Sequence, residues 1–152
     1  MKYLLAIIVA FSMSFSFADE TSDKIYEAMQ RNFDAFNKED IEAAMDSCSI
    51  EMPQRELFRS ESLKSFSQND VHYSLLACDV LEVNFPYALV KIVQDTIVQN
   101  RDSSTTKFRN STAIVPKDEC VEYLQTLKFE DGVWKLHVIV SAMKPVARAE
   151  AN

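Results

Sequence analysis

The spacing of apolar residues along this chain changes once, from a repeat of three to four to a repeat of two. Ile25, Met29, Phe33 and Phe36 fall at helical intervals, which predicts an amphipathic helix over Thr21 to Lys38. Thr21 or Ser22 can cap it, with Asp23 near the positive end of the helix dipole. A short second helix comes next, with Asp40 as cap and Ile41, Ala44, Met45 and Cys48 on one side. Pro53 suits the first position of a third helix, reaching about Phe66. From Val71 the period is two. Val71, Tyr73, Leu75, Ala77, Leu81 and Val83 share a face, and Asp79 falls in that register. Pro86 breaks the pattern, and Tyr87 to Gln99 forms a second long strand with Ala88, Val90, Ile92 and Val98 on one face.

The polar segment from Asn100 to Glu119 is too long for a structureless loop in a compact domain, so a strand is expected near Lys107 to Val115. The clearest signal comes last. Two alternating runs, Cys120 to Phe129 and Val133 to Ala142, are joined by Glu130-Asp131-Gly132. Asp-Gly between apolar runs marks a hairpin, and Gly132 is the only glycine in the chain. Val121, Tyr123, Leu127 and Phe129, with Gln125 among them, share one face. Trp134, Leu136, Val138 and Val140 share the other strand's inner face. Pro145 is expected to end the hairpin. Helices followed by antiparallel strands give an α+β fold, with N-terminal helices packed in the concavity of a curved antiparallel sheet.

The first eighteen residues stand apart. Met1-Lys2 supplies a positive start, Tyr3 to Phe11 is apolar, and Ser16-Phe17-Ala18 places small residues before Asp19-Glu20. This is the pattern of a secretory signal peptide cleaved after Ala18. The apolar stretch, about seventeen residues diluted by serines, falls short of the roughly twenty needed to span a bilayer. The expected layout is therefore a signal peptide over residues 1–18, one domain over 19–144 and a flexible tail over 145–152, exported to a periplasm or secreted, with no membrane anchor left after cleavage. A net charge of −7 and a pI near 4.8 argue against nucleic acid and against anionic membrane surfaces, both of which select clustered Lys and Arg.

Candidate chemistry is sparse. Asp79, if its register holds, lies inward between Ala77 and Leu81, where desolvation would raise its pKa and suit it to proton transfer. A β-bulge near Cys78-Asp79 would instead turn it to solvent. Asp95 alternates the other way from Ile92 and Val98. His72 and His137 are isolated, His137 out of phase with Trp134 and Leu136, and no metal set is formed. Cys48, Cys78 and Cys120 either include one disulfide or act as three buried thiols. No nucleophile elbow, P-loop or dinucleotide fingerprint is present. Asn110-Ser111-Thr112 fits a glycosylation acceptor, relevant only in a eukaryotic secretory pathway. Tyr87, Leu89, Val93 and Ile97 make the second long strand apolar on its outer side too. A second subunit or the segment from Asn100 to Glu119 would cover them.

Two motifs together resemble the nuclear transport factor 2-like superfamily, which includes the SnoaL-type cyclases and ketosteroid isomerases. They are the helix end Phe33-Asp34-Ala35-Phe36-Asn37-Lys38-Glu39-Asp40 and the hairpin Leu127-Lys128-Phe129-Glu130-Asp131-Gly132-Val133-Trp134-Lys135-Leu136. The resemblance spans Lys24 to Met143. It implies a cone whose sheet wraps the first helix around a pocket, with Tyr26, Met29, Phe33, Tyr73, Asp79 and Trp134 as candidate lining residues. It also implies pairing through the outer sheet face. Tyr26 would hydrogen-bond a substrate oxygen and Asp79 would act as base, although the second acidic donor of that pattern has no inward counterpart here. The favoured reading is an exported, non-catalytic, dimeric domain that binds a small apolar ligand or a protein partner, without metal or cofactor. The alternatives are a cofactor-independent isomerase, cyclase or dehydratase, or an accessory or inhibitory subunit of a secreted system.

Overall fold

The computed structural model describes residues 2–100, 106–110, 113–114 and 119–147. Three helices precede six strands: α1 (Lys2–Asn37), α2 (Ile41–Asp46), α3 (Arg55–Gln68), β1 (Asn69–Asn84), β2 (Tyr87–Asn100), β3 (Thr106–Asn110), β4 (Ala113–Ile114), β5 (Glu119–Glu130) and β6 (Val133–Ala147). The expected first helix is present and continues backward, as helix, through the residues read as a signal peptide. Asp40 caps α2, its carboxylate accepting from the Ala43 N–H at 3.1 Å. The third helix begins two residues later than expected. Gln54 precedes it in a left-handed conformation (φ 58°), and Pro53 lies outside it.

The strands are antiparallel. β2 pairs with β1 along one edge, and with β5 and then β3 along the other, while β6 closes the far side against β5. The strand expected near Lys107 to Val115 is present as β3 and the two-residue β4. Asp131 and Gly132 turn the hairpin with φ of 53° and 82°, the pair of positive values that a tight two-residue turn needs. β6 does not stop at Pro145 but runs on to Ala147, with Pro145 paired opposite Val121. Proline is tolerated there because, among the described residues, β6 is the last strand on its side of the sheet. Ser111, Thr112 and residues 148–152, on which the glycosylation reading and the end of the tail depend, lie outside the described residues.

The core forms where α1 lies across the sheet. Ile25, Met29 and Phe33 meet Ala88, Val90, Ile92, Val121, Tyr123, Leu127 and Trp134. Each large aliphatic or aromatic side chain buried this way contributes about 1.5–3 kcal/mol relative to exposure. Asn37, the last residue of α1, fastens the helix to the open edge of β1. Its Nδ2 donates to the Tyr73 carbonyl at 2.8 Å and its Oδ1 accepts the Tyr73 N–H at 2.7 Å. The chain after α2 is stitched to the edge of β6 in strand-like fashion. Ser49 N–H donates to the Leu136 carbonyl at 2.7 Å, and Leu136 N–H donates to the Ser47 carbonyl at 3.0 Å.

Register shifts decide which side chains face inward. β1 gains extra residues at Leu76 and Leu81 relative to β2. Each single-residue insertion exchanges the faces of the strand residues beyond it. Cys78 and Val80 therefore turn to the core. Asp79, opposite Lys91, turns out. On β6 the shift between the Thr126–Val138 and Leu127–Leu136 pairs does the same. Trp134 and Leu136 face inward as expected, but Val138 and Val140 leave that phase and Ile139 takes the inner position, opposite Gln125.

Candidate functional site

The cone is solid at the hairpin end and hollow at the other. A cavity of about 470 Å³ lies between α1, α3 and the inner sheet face, within the usual range for small-molecule sites. Its aromatic walls are Phe33 and Phe36 of α1, Phe58 and Phe66 of α3, Tyr73 of β1 and Tyr123 of β5. Phe36 meets the rings of Phe58, Phe66 and Tyr73 at centroid distances of 5.6, 5.9 and 6.0 Å in edge-to-face geometry, a favourable orientation for aromatic quadrupoles.

Set among these rings are neutral polar side chains: Asn32, Gln94, Thr96 and Gln125, each buried. Asn32 Nδ2 donates to Ser47 Oγ at 2.7 Å and approaches Cys48 Sγ at 3.9 Å. Gln94 Nε2 donates to Thr96 Oγ1 at 3.1 Å. Gln125 Oε1 is buried without a hydrogen-bond partner. The carboxylate and the amine on the lining, Glu61 and Lys64, belong to exposed positions of α3.

The sequence-derived candidates divide sharply. Phe33 and Tyr73 line the cavity. Met29 and Trp134 are packed into the solid core instead. Tyr26 is 46% exposed and is not on the cavity wall. For Asp79 the inward reading is corrected and the bulge alternative holds: the extra residue at Leu76 puts it on the outer face, where it is exposed and pairs with Lys91 Nζ at 3.0 Å. That contact and Glu122 push the Lys91 pKa up. Tyr26 and Asp79 are thus not brought together as an acid–base pair. Asp95 faces outward as expected, opposite Ser74.

His72 is exposed. His137 lies on the outer face, its Nδ1 3.3 Å from Ser49 Oγ and its ring 5.6 Å from that of Tyr87. Among the described residues no cluster of His, Cys, Asp or Glu is arranged to hold a metal ion. No disulfide joins the three cysteines. Burial pushes the Cys48 and Cys78 thiols up to about 11, so both stay protonated at neutral pH. Of the four outer-face residues expected to await a cover, Val93 is buried within the chain, Leu89 and Ile97 are half-buried, and Tyr87 is exposed.

Sequence reasoning misses both the amide set and an outer latch. Gln94 and Thr96 keep the phase of Ile92 and Val98, and Gln125 that of Tyr123 and Leu127. A polar residue on an apolar phase is the available signal. The latch joins distant segments. Ser49 Oγ donates to Glu130 Oε1 at 2.6 Å, Ile50 N–H donates to Glu130 Oε2 at 3.1 Å, and Lys128 Nζ lies 3.3 Å from Glu130 and 2.5 Å from Glu51. Burial raises the Glu130 pKa, but the Ser49, Ile50 and Lys128 contacts together outweigh it and hold the carboxyl below its ordinary value.

Solved structures share this architecture at low identity. A conserved protein from Planctomyces limnophilus superposes with a TM-score of 0.63 at 15% identity, covering 86% of this chain and 99% of its own. A nuclear transport factor 2-like superfamily protein from Salmonella enterica serovar Typhimurium gives 0.62 at 11% identity, covering 79% and 88%. A ketosteroid isomerase-like protein from Erwinia carotovora atroseptica gives 0.58 at 18% identity, covering 78% and 92%. These likenesses establish the nuclear transport factor 2-like fold. No curated protein matches the sequence. The family described as "Anti-sigma-I factor RsgI9, C-terminal domain" matches residues 27–143, nearly the whole span of α1 to β6 that builds the cone, and the chain belongs to that family.

Proposed function

We propose that this chain is an exported, non-catalytic binding domain that holds a small, uncharged, largely apolar molecule in the chamber between α1, α3 and the sheet. One observation carries the reading. The interior lining combines aromatic rings with neutral amides and hydroxyls, and its carboxylate and amine sit on exposed α3 positions. Such a lining rewards shape, stacking and hydrogen bonding. Among the described residues it offers no carboxylate other than the exposed Glu61, and no imidazole, to move a proton. The family is named for a domain of an anti-sigma-I factor, a name that denotes an opposing partner rather than a reaction, which agrees with binding as the task. Export rests on the Met1 to Ala18 pattern. Homodimerisation through the outer sheet face is supported by the exposed Tyr87.

Native mass spectrometry of the protein taken from its exported fraction tests all three parts. The expected spectrum is a dimer that begins at Asp19 and carries a neutral small-molecule adduct. An empty chain, together with no thermal stabilisation by any member of a library of uncharged aromatic compounds, would refute ligand binding. A ligand at a hundred times its Kd would stabilise by about 2.7 kcal/mol, so binding would be visible. Chemical conversion of the bound compound would refute the non-catalytic reading. That outcome has a precedent in the fold neighbours named for isomerase and dehydratase activity.

A further inference from the structure

The inner sheet face contains one residue whose placement costs stability and that no packing need explains. Gln125 is 4% exposed and lies on the chamber wall. In register it sits between Val90 and Ile139, with Tyr123 and Leu127 before and after it on the same face. Three of these neighbours are aliphatic and the fourth is the aromatic Tyr123. A leucine or methionine would fit this setting without penalty, whereas a buried amide oxygen without a donor is unfavourable. The other amides narrow the set of groups that would satisfy it. Asn32 Nδ2 already donates to Ser47 and Cys48, and Gln94 Nε2 already donates to Thr96. The Asn32 and Gln94 amide nitrogens are engaged inside the protein, and the acceptor of Gln125 is not.

Resting on the reading of the chamber as a binding site, we propose that Gln125 selects its occupant, and that the occupant is a neutral, flat apolar molecule carrying a hydroxyl or amide N–H that donates to Gln125 Oε1. The amide needs only rotation about its terminal torsion, which is soft, to present its carbonyl to the chamber. Neutrality follows from the lining. An anion entering among Phe33, Phe36, Tyr73 and Tyr123 would lose its hydration with no cation beside it, since Lys64 is on an exposed position of α3.

The test uses a matched pair of probes, 2-naphthol and 2-methoxynaphthalene, which share a ring system and differ in the donor. Affinities are measured by calorimetry for the wild-type chain and for Gln125→Met, which keeps side-chain length and removes the amide. In parallel, the Gln125 side-chain NH₂ resonances of the wild type are followed by ¹⁵N NMR. The expected result is a preference for 2-naphthol of about tenfold in the wild type, the worth of one buried hydrogen bond. That preference disappears in Gln125→Met, and the Gln125 resonances shift with 2-naphthol alone. Equal affinities in the wild type, or a preference that survives in Gln125→Met, would overturn the role of Gln125 and leave the chamber a binding site. Failure of the wild type to bind either probe or any uncharged aromatic would overturn the chamber reading, and this inference with it. Should Gln125→Met fail to fold, the wild-type preference and the NMR response still decide the matter.

Discussion

Replacing Asn37 tests how the cone is held together. One side chain both donates to and accepts from the backbone of Tyr73, at 2.8 and 2.7 Å. It therefore acts as a one-residue strand on the open edge of β1. Tyr73 carries a chamber wall, its ring 6.1 Å from Phe33 and 6.0 Å from Phe36, so the bond pair sets where that wall stands. Asn37→Ala removes both partners of a half-buried peptide. At about 1–1.5 kcal/mol for each neutral hydrogen bond, the expected loss is about 2–3 kcal/mol. At roughly 3 °C per kcal/mol for a domain of this size, the melting temperature should fall by about 6–9 °C. Asn37→Asp sharpens the test. The carboxylate keeps an acceptor for the Tyr73 N–H but sets a second oxygen against the Tyr73 carbonyl. It should be at least as destabilising as alanine at pH 7, despite being nearly isosteric. Urea unfolding followed by Trp134 fluorescence measures both. An alanine variant within about 0.5 kcal/mol of wild type, or an aspartate variant as stable as wild type, would show that the bond pair is not the fastening of α1 to β1.

Other outcomes rest on the same structure. Glu130→Gln should cost about 1–2 kcal/mol at pH 7, because hydrogen bonds to a half-buried charge are lost or weakened. Since the folded-state pKa of Glu130 is lowered, its contribution is complete above the ordinary carboxyl value and is lost as pH falls through the depressed one. The stability gap between wild type and Glu130→Gln should therefore close in acid, and a gap that persists at about pH 2 would contradict this assignment. Asp79→Asn should change stability by less than about 0.5 kcal/mol and leave chamber binding untouched, because its ion pair with Lys91 is exposed. Lost binding or turnover would place Asp79 in the site after all. Gly132→Ala should cost about 1 kcal/mol in thermal melts. A new Cβ would meet nothing within 4 Å, so the whole penalty would come from the positive φ. Cys48 and Cys78, with thiols pushed up to about 11, should react with iodoacetamide at pH 8 many times more slowly in the native protein than in urea.

The elements and the cone were legible because they rest on local signals: a helical stripe through Ile25, Met29, Phe33 and Phe36, a change of period at Val71, and Asp131-Gly132 at the hairpin. The site was less legible, because it depends on where strands slip. Period-two reasoning assumes that phase is conserved along a strand, and here single insertions at Leu76 and Leu81 and the shift beside Leu136 reset it. Nothing in the apolar pattern of β1 distinguishes Leu76 from its neighbours, since Leu75, Leu76, Ala77 and Cys78 are all acceptable on either face. The long apolar run that made β1 easy to recognise as a strand also hid where its bulge would fall. The latch from Ser49 to Glu130 spans 81 residues and has no local signature at all.

The same slips keep a carboxylate out of the solid core. Were Leu76 paired in turn rather than bulged, Asp79 would keep the inward phase of Tyr73 and Leu75. With the bulge, Cys78 and Val80 take the core positions and the carboxylate meets Lys91 in solvent. On β6 the corresponding shift turns Ile139 inward, opposite Gln125. Each slip moves an apolar side chain to the inner face, and the first also removes a charge from it. The polar groups left inside are those that keep phase without interruption: Gln94 and Thr96 along β2, and Gln125 between Tyr123 and Leu127 on β5. Deleting Leu76 would make Leu75–Gln94 and Ala77–Val93 consecutive pairs, so that variant should keep Cys78 and Val80 inward and Asp79 opposite Lys91. Loss of the Asp79–Lys91 neighbourhood in that variant, read from backbone NOEs between β1 and β2, would show that the pairing beyond Leu76 is not the one described.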